Sequence, residues 1–148
     1  MMIRAVLLLV VLAGPVVAQA NGTPPTRSAA TNGAYSAGQA AEGEIVYKKV
    51  CASCHELSFH TGEDFRMNWF SRNVWDLFKI LKTTMPEDNI GGLSDDEYTR
   101  VIAYVFKLNG FPTSTDSLKA DSTEMRKIQI GPLATDSTKP PNSPARRR

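Results

Sequence analysis

Two cysteines, Cys51 and Cys54, are separated by two residues, and a histidine, His55, follows the second one directly. On a helix this spacing places the two thiols one turn apart, next to the imidazole. Both sulfurs can then form thioether bonds with the two vinyl groups at one edge of a porphyrin, and the histidine can bind the iron. The motif therefore predicts one covalently attached haem c, with Cys51 and Cys54 as attachment residues and His55 as an axial ligand.

Two other chemistries use cysteines at this spacing. A thiol–disulfide redox pair is typically found near a strand–helix–strand unit, but strand-like alternation is scarce in this chain. A zinc site completed by His60 would use the adjacent residues Cys54 and His55, which do not match the usual paired spacing of zinc ligands. The sequence favours haem attachment over both.

A second protein ligand decides what the iron can do, because it leaves no position for a substrate or a gas. Met85 lies thirty residues after His55, far enough for the chain to cross the haem edge and return on the opposite face. Met67 would reach the iron only in a fully extended segment, and its aromatic neighbours indicate core packing. His60 is interpreted as a surface or hydrogen-bonding histidine. We therefore predict Met85 as the second ligand, and a thioether sulfur there suits one-electron transfer.

Residues 1–20 have the pattern of a secretory signal peptide. A short positive start precedes an apolar run at 5–13, and small residues at 18–20 form a cleavage site. The apolar run is well short of the roughly 20 residues that span a bilayer. We expect a cleaved signal, a periplasmic location and no stable membrane anchor after cleavage. An uncleaved anchor is the alternative.

Helical signals are confined to residues 36–112, between a flexible leader at 21–35 and a basic, largely disordered tail at 113–148. The first predicted helix runs from an N-cap at Ser36 to Val50, and the second ends near Lys82. A capping box at 94–97 begins the third, which ends before Asn109 and Gly110. These signals predict an all-α fold with about three main helices.

Charge is distributed unevenly along the chain. Residues 38–112 contain eight Lys and Arg against eleven Asp and Glu, whereas residues 113–148 contain seven against four. A basic tail can attract an acidic partner or the chain's own acidic domain. The arginines at 146–148 lack interleaved aromatic residues, so nucleic acid is not expected as a partner. Two interpretations of residues 121–130 stay open, a short ordered piece or part of a solvated tail.

These motifs resemble class I c-type cytochromes over residues 36–112. The first helix carries Gly43 and Tyr47, and the last carries Val101 and Tyr104, at positions that match the place where the first and last helices of that family cross near the haem. The resemblance implies a small class I cytochrome c fold around one covalent haem. It also implies a role in electron transfer, with no substrate chemistry of the chain's own.

A narrower resemblance lies in the stretches that begin at Met85, Gly92 and Asn109. They are similar to the cytochrome c domains that serve pyrroloquinoline quinone-dependent alcohol and sugar dehydrogenases. This similarity implies a periplasmic carrier with a quinoprotein dehydrogenase as donor and a terminal oxidase or another cytochrome as acceptor. The alternatives are a haem enzyme or gas sensor with a displaceable Met85, and a permanent electron-transfer subunit of a larger dehydrogenase complex.

The sequence departs from the class I pattern directly after the haem motif. Glu56 follows His55 where the family more often has glycine, and no proline lies before Phe70 to offer the carbonyl that commonly orients the proximal imidazole. The motif therefore does not identify the group that holds the second ring nitrogen of His55. Four further side chains are candidates to hydrogen-bond the haem propionates: Arg66, Arg72, Asn73 and Trp75.

Overall fold

The computed structural model describes residues 27–132 and is mostly helical within that range. The predicted signal peptide at 1–20 lies outside the described residues. The elements in chain order are β1 Arg27–Ser28, α1 Ala29–Asn32, α2 Ala37–Val46 with a π-helical turn Tyr47–Cys51, a 3₁₀ turn Leu57–His60, α3 Gly62–Trp69, β2 Arg72–Asn73, α4 Val74–Thr84, α5 Asp95–Leu108, α6 Ser122–Lys127 and β3 Ile128–Ile130. The predicted all-α class is confirmed.

Side-chain caps begin the three long helices, and those of α2 and α5 lie where the sequence predicts them. The Ser36 hydroxyl accepts from the backbone N–H of Gln39 at 3.2 Å and caps α2. On α5, the Glu97 carboxylate accepts from the Ser94 N–H at 2.8 Å, and the Ser94 hydroxyl accepts from the Glu97 N–H at 3.3 Å. Asn73 caps α4 in the same way. Because each cap satisfies backbone donors that the helix leaves unpaired, the helix starts are fixed locally.

Helices α2 and α5 cross at Gly43, and this is the most extensive helix contact in the described part of the chain. A β-carbon at Gly43 would overlap the carbonyl oxygen of Arg100 on α5 and lie 3.1 Å from the Cβ of Tyr104. The backbones can therefore approach this closely only when residue 43 has no side chain. This confirms the close approach that the sequence predicted there.

The core lies between α5 and the surrounding helices. Ile102 and Phe106 of α5 are fully buried, and they share one apolar cluster with Phe65 of α3 and Phe78 of α4. A second, smaller cluster joins the π-helical turn to α5 and contains Tyr47, Val101 and Tyr104. Since α5 contributes to both clusters, it is the central helix of the fold.

The flexible leader predicted at 21–35 is ordered from residue 27 onward, so that part of the prediction is corrected. Residues 27–35 form β1 and α1 and bury Ala29 and Tyr35 in the main core. The Tyr35 hydroxyl donates to the carbonyl oxygen of Phe111 at 2.7 Å, and its carbonyl accepts from the N–H of Ser114 at 2.8 Å. A composition rich in small residues indicated flexibility, but these long-range contacts order the segment.

The tail predicted as largely disordered at 113–148 is likewise ordered as far as residue 132. The buried Gln39 side chain pairs with the backbone of Leu118, donating to its oxygen and accepting from its nitrogen, both at 2.8 Å. Beyond it, α6 and β3 bury Met125, Ile128 and Ile130. Of the two interpretations left open for residues 121–130, the ordered piece is the observed one.

A three-stranded sheet joins the two ends of the described chain. β3 lies in the centre, parallel to β1 and antiparallel to β2. Arg27 and Arg72 are the register partners of Ile128 and Ile130, respectively. The sheet thus connects the N-terminal segment, the start of α4 and the C-terminal segment. No helix among the described residues is long and apolar enough to cross a bilayer.

The helix crossing predicts opposite effects at two glycines of α2. Gly43→Ala should destabilise the haem-loaded protein by about 1–3 kcal/mol or more, because its methyl group meets the Arg100 backbone. Gly38→Ala should be neutral or stabilising by up to about 1 kcal/mol, since nothing lies within 4 Å of the new atom and alanine favours helix. Thermal unfolding of both variants measures the difference. Equal stability of the two would contradict the crossing.

The C-terminal segment is predicted to belong to the folding unit. Ending the chain after Ala120 removes Met125, Ile128 and Ile130, each at most 3% exposed. Burial of each is worth about 1.5–3 kcal/mol, so the truncated protein should lose most of its stability. Ending the chain after Pro132 is the matched control, because it keeps these three buried side chains and should keep the stability that they contribute. Denaturant unfolding distinguishes them, and a fully stable chain ending at Ala120 would refute this role.

Candidate haem site

The haem-attachment motif lies at the end of the helix that crosses α5. The π-helical turn ends at Cys51, and the Cys51 carbonyl accepts from the N–H groups of Cys54 at 3.2 Å and His55 at 2.9 Å. This tight turn brings both thiols and the imidazole to one side of the backbone. Cys51 is half-buried, Cys54 is exposed, and they are not joined in a disulfide. Burial raises the pKa of the Cys51 thiol, so that thiol is protonated at neutral pH.

One cavity brings together the four residues predicted to bind the haem. It has a volume of about 640 Å³, within the range of small-molecule and cofactor sites, and its walls are mostly apolar. Cys51, Cys54 and His55 lie on its wall together with Met85, which comes from the end of α4. The remaining wall is supplied by α3, α4, α5 and the segments around them: Tyr47, Val50, Ser53, His60, Phe65, Trp69, Leu77, Ile80, Leu81, Thr84, Pro86, Glu87, Asp88, Leu93, Tyr98, Val101, Ile102 and Val105.

Met85 is fixed at both of its backbone polar groups. Its N–H donates to the Leu81 carbonyl at 2.9 Å, and its carbonyl accepts from the Tyr98 hydroxyl at 2.6 Å. Met67, the alternative methionine, is 69% exposed on α3 and is not part of the cavity wall. The geometry therefore supports Met85 rather than Met67 as the methionine that faces the iron. The role of Tyr98 was not predicted, because no local sequence pattern indicates a contact across the turn from 85 to 98.

His60 lies beside His55, with the two ring centroids 5.1 Å apart. Both rings belong to the cavity wall. His60 is therefore part of the site and not the surface histidine that one interpretation of the sequence expected. Burial, followed by the neighbouring charge of His55, lowers the pKa of His60. The His60 imidazole is therefore neutral at neutral pH.

Tyr47 connects the motif to the helix crossing. Its ring is tilted against that of Tyr104 at a centroid distance of 5.5 Å, and its hydroxyl donates to the His55 carbonyl at 3.4 Å. Val101 completes this cluster from α5. The aromatic residues that the sequence placed at the crossing thus also support the backbone of the predicted ligand.

The four propionate candidates do not line the cavity. Asn73 uses its side chain to cap α4, and Arg66 pairs with Glu63 at 2.7 Å. The Arg72 guanidinium lies 5.5 Å from the ring centroid of Trp69, which does line the cavity. The buried indole N–H of Trp75 has no hydrogen-bond partner among the described residues, yet it lies outside the cavity wall.

The chemistry of this wall fits a haem better than a metal ion alone. Within residues 27–132 no three His, Cys, Asp or Glu side chains converge to hold a metal ion. The cavity instead offers two thiols, an imidazole and a thioether around a large apolar space. Apolar walls with a few placed polar atoms are typical of cofactor sites.

The family model described as cytochrome C oxidase, cbb3-type, subunit III matches residues 38–105. The match spans the residues from α2 to within α5 and includes Cys51, Cys54, His55 and Met85. It supports a class I c-type cytochrome and implies electron transfer on covalently bound haem c rather than catalysis. No curated protein and no solved structure matches the chain.

Proposed function

From a class I c-type cytochrome domain over residues 38–105, we propose that this protein is a periplasmic carrier of single electrons with one haem c. Cys51 and Cys54 attach the haem, and His55 and Met85 are its axial ligands. One observation carries this proposal: all four side chains, from two separate segments of the chain, line the same apolar cavity.

The chain's own residues set the properties of this site. When bound, haem iron supplies one-electron redox chemistry, and a His/Met pair favours the reduced state compared with two histidines. Phe65, Leu77 and Ile102 keep the cavity wall apolar, which also favours the state with less charge. Fixed ligands on both faces keep the geometry similar in both oxidation states, and this supports fast electron transfer.

The support for Met85 favours a carrier over a haem enzyme or gas sensor. Those functions need a ligand that leaves the iron, whereas the backbone of Met85 is held by Leu81 and Tyr98. A peroxidase also needs a distal acid or base. His60, the histidine considered for that role, lies against His55 and therefore on the proximal side.

We further propose a quinoprotein dehydrogenase as electron donor and a terminal oxidase or another cytochrome as acceptor. The resemblance of the segments around Met85, Gly92 and Asn109 to cytochrome domains of quinoprotein systems supports the donor. The matched family model, which is named after an oxidase subunit, supports an oxidase as acceptor. A permanent place in a larger dehydrogenase complex is the alternative.

The ligand assignment predicts different spectra for two methionine variants. Met85→Ala should retain covalent haem, lose the far-red sulfur-to-iron band of the oxidised protein, bind carbon monoxide when reduced and show a lower midpoint potential. Met67→Ala, the matched control on exposed α3, should keep the wild-type spectrum and potential. Optical redox titration with carbon monoxide addition measures all four properties. Rapid carbon monoxide binding by the wild type would instead favour the enzyme or sensor.

The donor assignment predicts rapid reduction by a quinoprotein. The oxidised full-length protein should be reduced when mixed with a quinoprotein alcohol dehydrogenase and its alcohol, as followed by growth of the reduced haem band. A nicotinamide-dependent alcohol dehydrogenase with the same alcohol should reduce it at least ten times more slowly. A tenfold difference in rate corresponds to a difference of about 1.4 kcal/mol in activation free energy. Equal rates with both enzymes, or no reduction by the quinoprotein at low or high salt, would contradict the assignment.

A further inference from the structure

The contact between the His55 and His60 rings is not used in the function proposed above, where His55 acts only as an iron ligand. Their ring planes are inclined by 66°, and their centroids are 5.1 Å apart. A ring nitrogen lies roughly 1.2 Å from its centroid and an N–H···N bond adds about 2.9 Å, so hydrogen-bonded imidazoles have centroids a little over 5 Å apart. The observed centroid distance is close to that value, and the two rings meet edge to face without a hydrogen bond between them in this structure.

The two imidazoles also have complementary hydrogen-bonding groups. A neutral imidazole has one N–H donor and one nitrogen that accepts. When one nitrogen of His55 binds iron, its other nitrogen carries the proton and acts as a donor. His60 has an accepting nitrogen to offer, and no proline lies between Glu56 and Phe70 to supply a carbonyl there.

Contacts with packed helices hold His60 in this place. The Asn109 side chain, at the end of α5, donates to the carbonyl oxygens of His60 and Val105, both at 2.8 Å. Its oxygen accepts from the Gly62 N–H at 3.1 Å. On the other side, the Tyr47 ring meets the His60 ring edge-on at 5.9 Å. The turn that carries His60 is thereby fixed to α5, and its ring lies between Tyr47 and His55.

We infer that His60 is a positioning residue for His55 in the haem-bound protein, where the free ring N–H of His55 donates a hydrogen bond to the neighbouring His60 ring. This inference rests on the proposed function, since it requires His55 to be an iron ligand. The bond fixes the rotation of the His55 ring and makes it a more basic ligand. A more basic ligand stabilises the oxidised iron, so His60 should lower the midpoint potential.

A direct test uses the fact that the chain contains only two histidines. The full-length, haem-loaded protein is labelled with ¹⁵N in its histidines and studied by NMR in the reduced, diamagnetic state. We expect a nitrogen–nitrogen coupling across the hydrogen bond between the rings, and slow solvent exchange of the His55 N–H. Absence of the coupling together with rapid exchange of that proton would overturn the inference.

Variants at His60 test the consequence for the iron. His60→Phe keeps an aromatic ring without an accepting atom and should shift the midpoint potential upward. His60→Asn and His60→Gln place an amide oxygen near the positions of the two ring nitrogens, and at least one of them should restore the wild-type potential. Leu57→Ala is the matched control, because Leu57 is 44% exposed in the same turn, has no polar side-chain atom and does not line the cavity. It should leave the potential unchanged.

Asn109→Ala provides a second route if His60→Phe does not mature. It frees the turn that carries His60, so it should raise the potential and speed exchange of the His55 N–H. An unchanged potential in His60→Phe, with the wild type retaining its far-red band and its resistance to carbon monoxide, would refute the role of His60 alone. Loss of that band and resistance in the wild type would refute the proposed function itself.

Discussion

The crossing of α2 and α5 is the constraint on which the rest of the structure depends. Gly43 lets the two backbones meet at Arg100, and the cluster of Tyr47, Val101 and Tyr104 forms one turn further along both helices. That cluster lies directly before Cys51, so the angle at which the haem motif leaves α2 is set by the crossing. Nothing nearer to the motif could do this, because the turn from Cys51 to His55 is held mainly by its own backbone hydrogen bonds. A small shift of α2 would therefore move both thiols and the imidazole together.

What the sequence could predict was local. Caps at Ser36 and Ser94, the haem motif and the glycine of the crossing each depend on neighbouring residues or on one missing side chain, and the structure has the caps and the close approach where they were expected. The order of residues 27–35 and 113–132 depends instead on partners far along the chain, such as Tyr35 with Phe111 and Gln39 with Leu118. Their composition is polar and rich in small residues, so the few buried side chains that order them give no periodic signal.

The same distinction applies to the cavity. The prediction of Cys51, Cys54, His55 and Met85 as haem-binding residues came from residue types and chain length, and those four residues line one cavity. The side chains that hold the cavity wall in place were not predictable from the sequence. Tyr98 donates to the backbone oxygen of Met85, 13 positions away, and Asn109 donates to that of His60, 49 positions away. The four residues considered as propionate partners lie outside the cavity wall. Polar residues near the motif in sequence are used for capping, ion pairing and stacking at the surface, outside the cavity.

Helix α5 supports both sides of the cavity, so one element positions both of the predicted iron ligands. Tyr98 holds the backbone of Met85, Val101 and Tyr104 support Tyr47 beneath the motif, and Asn109 fixes the turn that carries His60. These residues all lie on helix α5, Asp95–Leu108, or at its C-cap. The two faces of the site are therefore both held by one helix. A site held by a helix is positioned more precisely than a site held by a loop. The separation between the two predicted ligands is therefore determined by α5 rather than by the long segment that connects them in sequence, and in the proposed carrier an electron could arrive or leave with little movement of either.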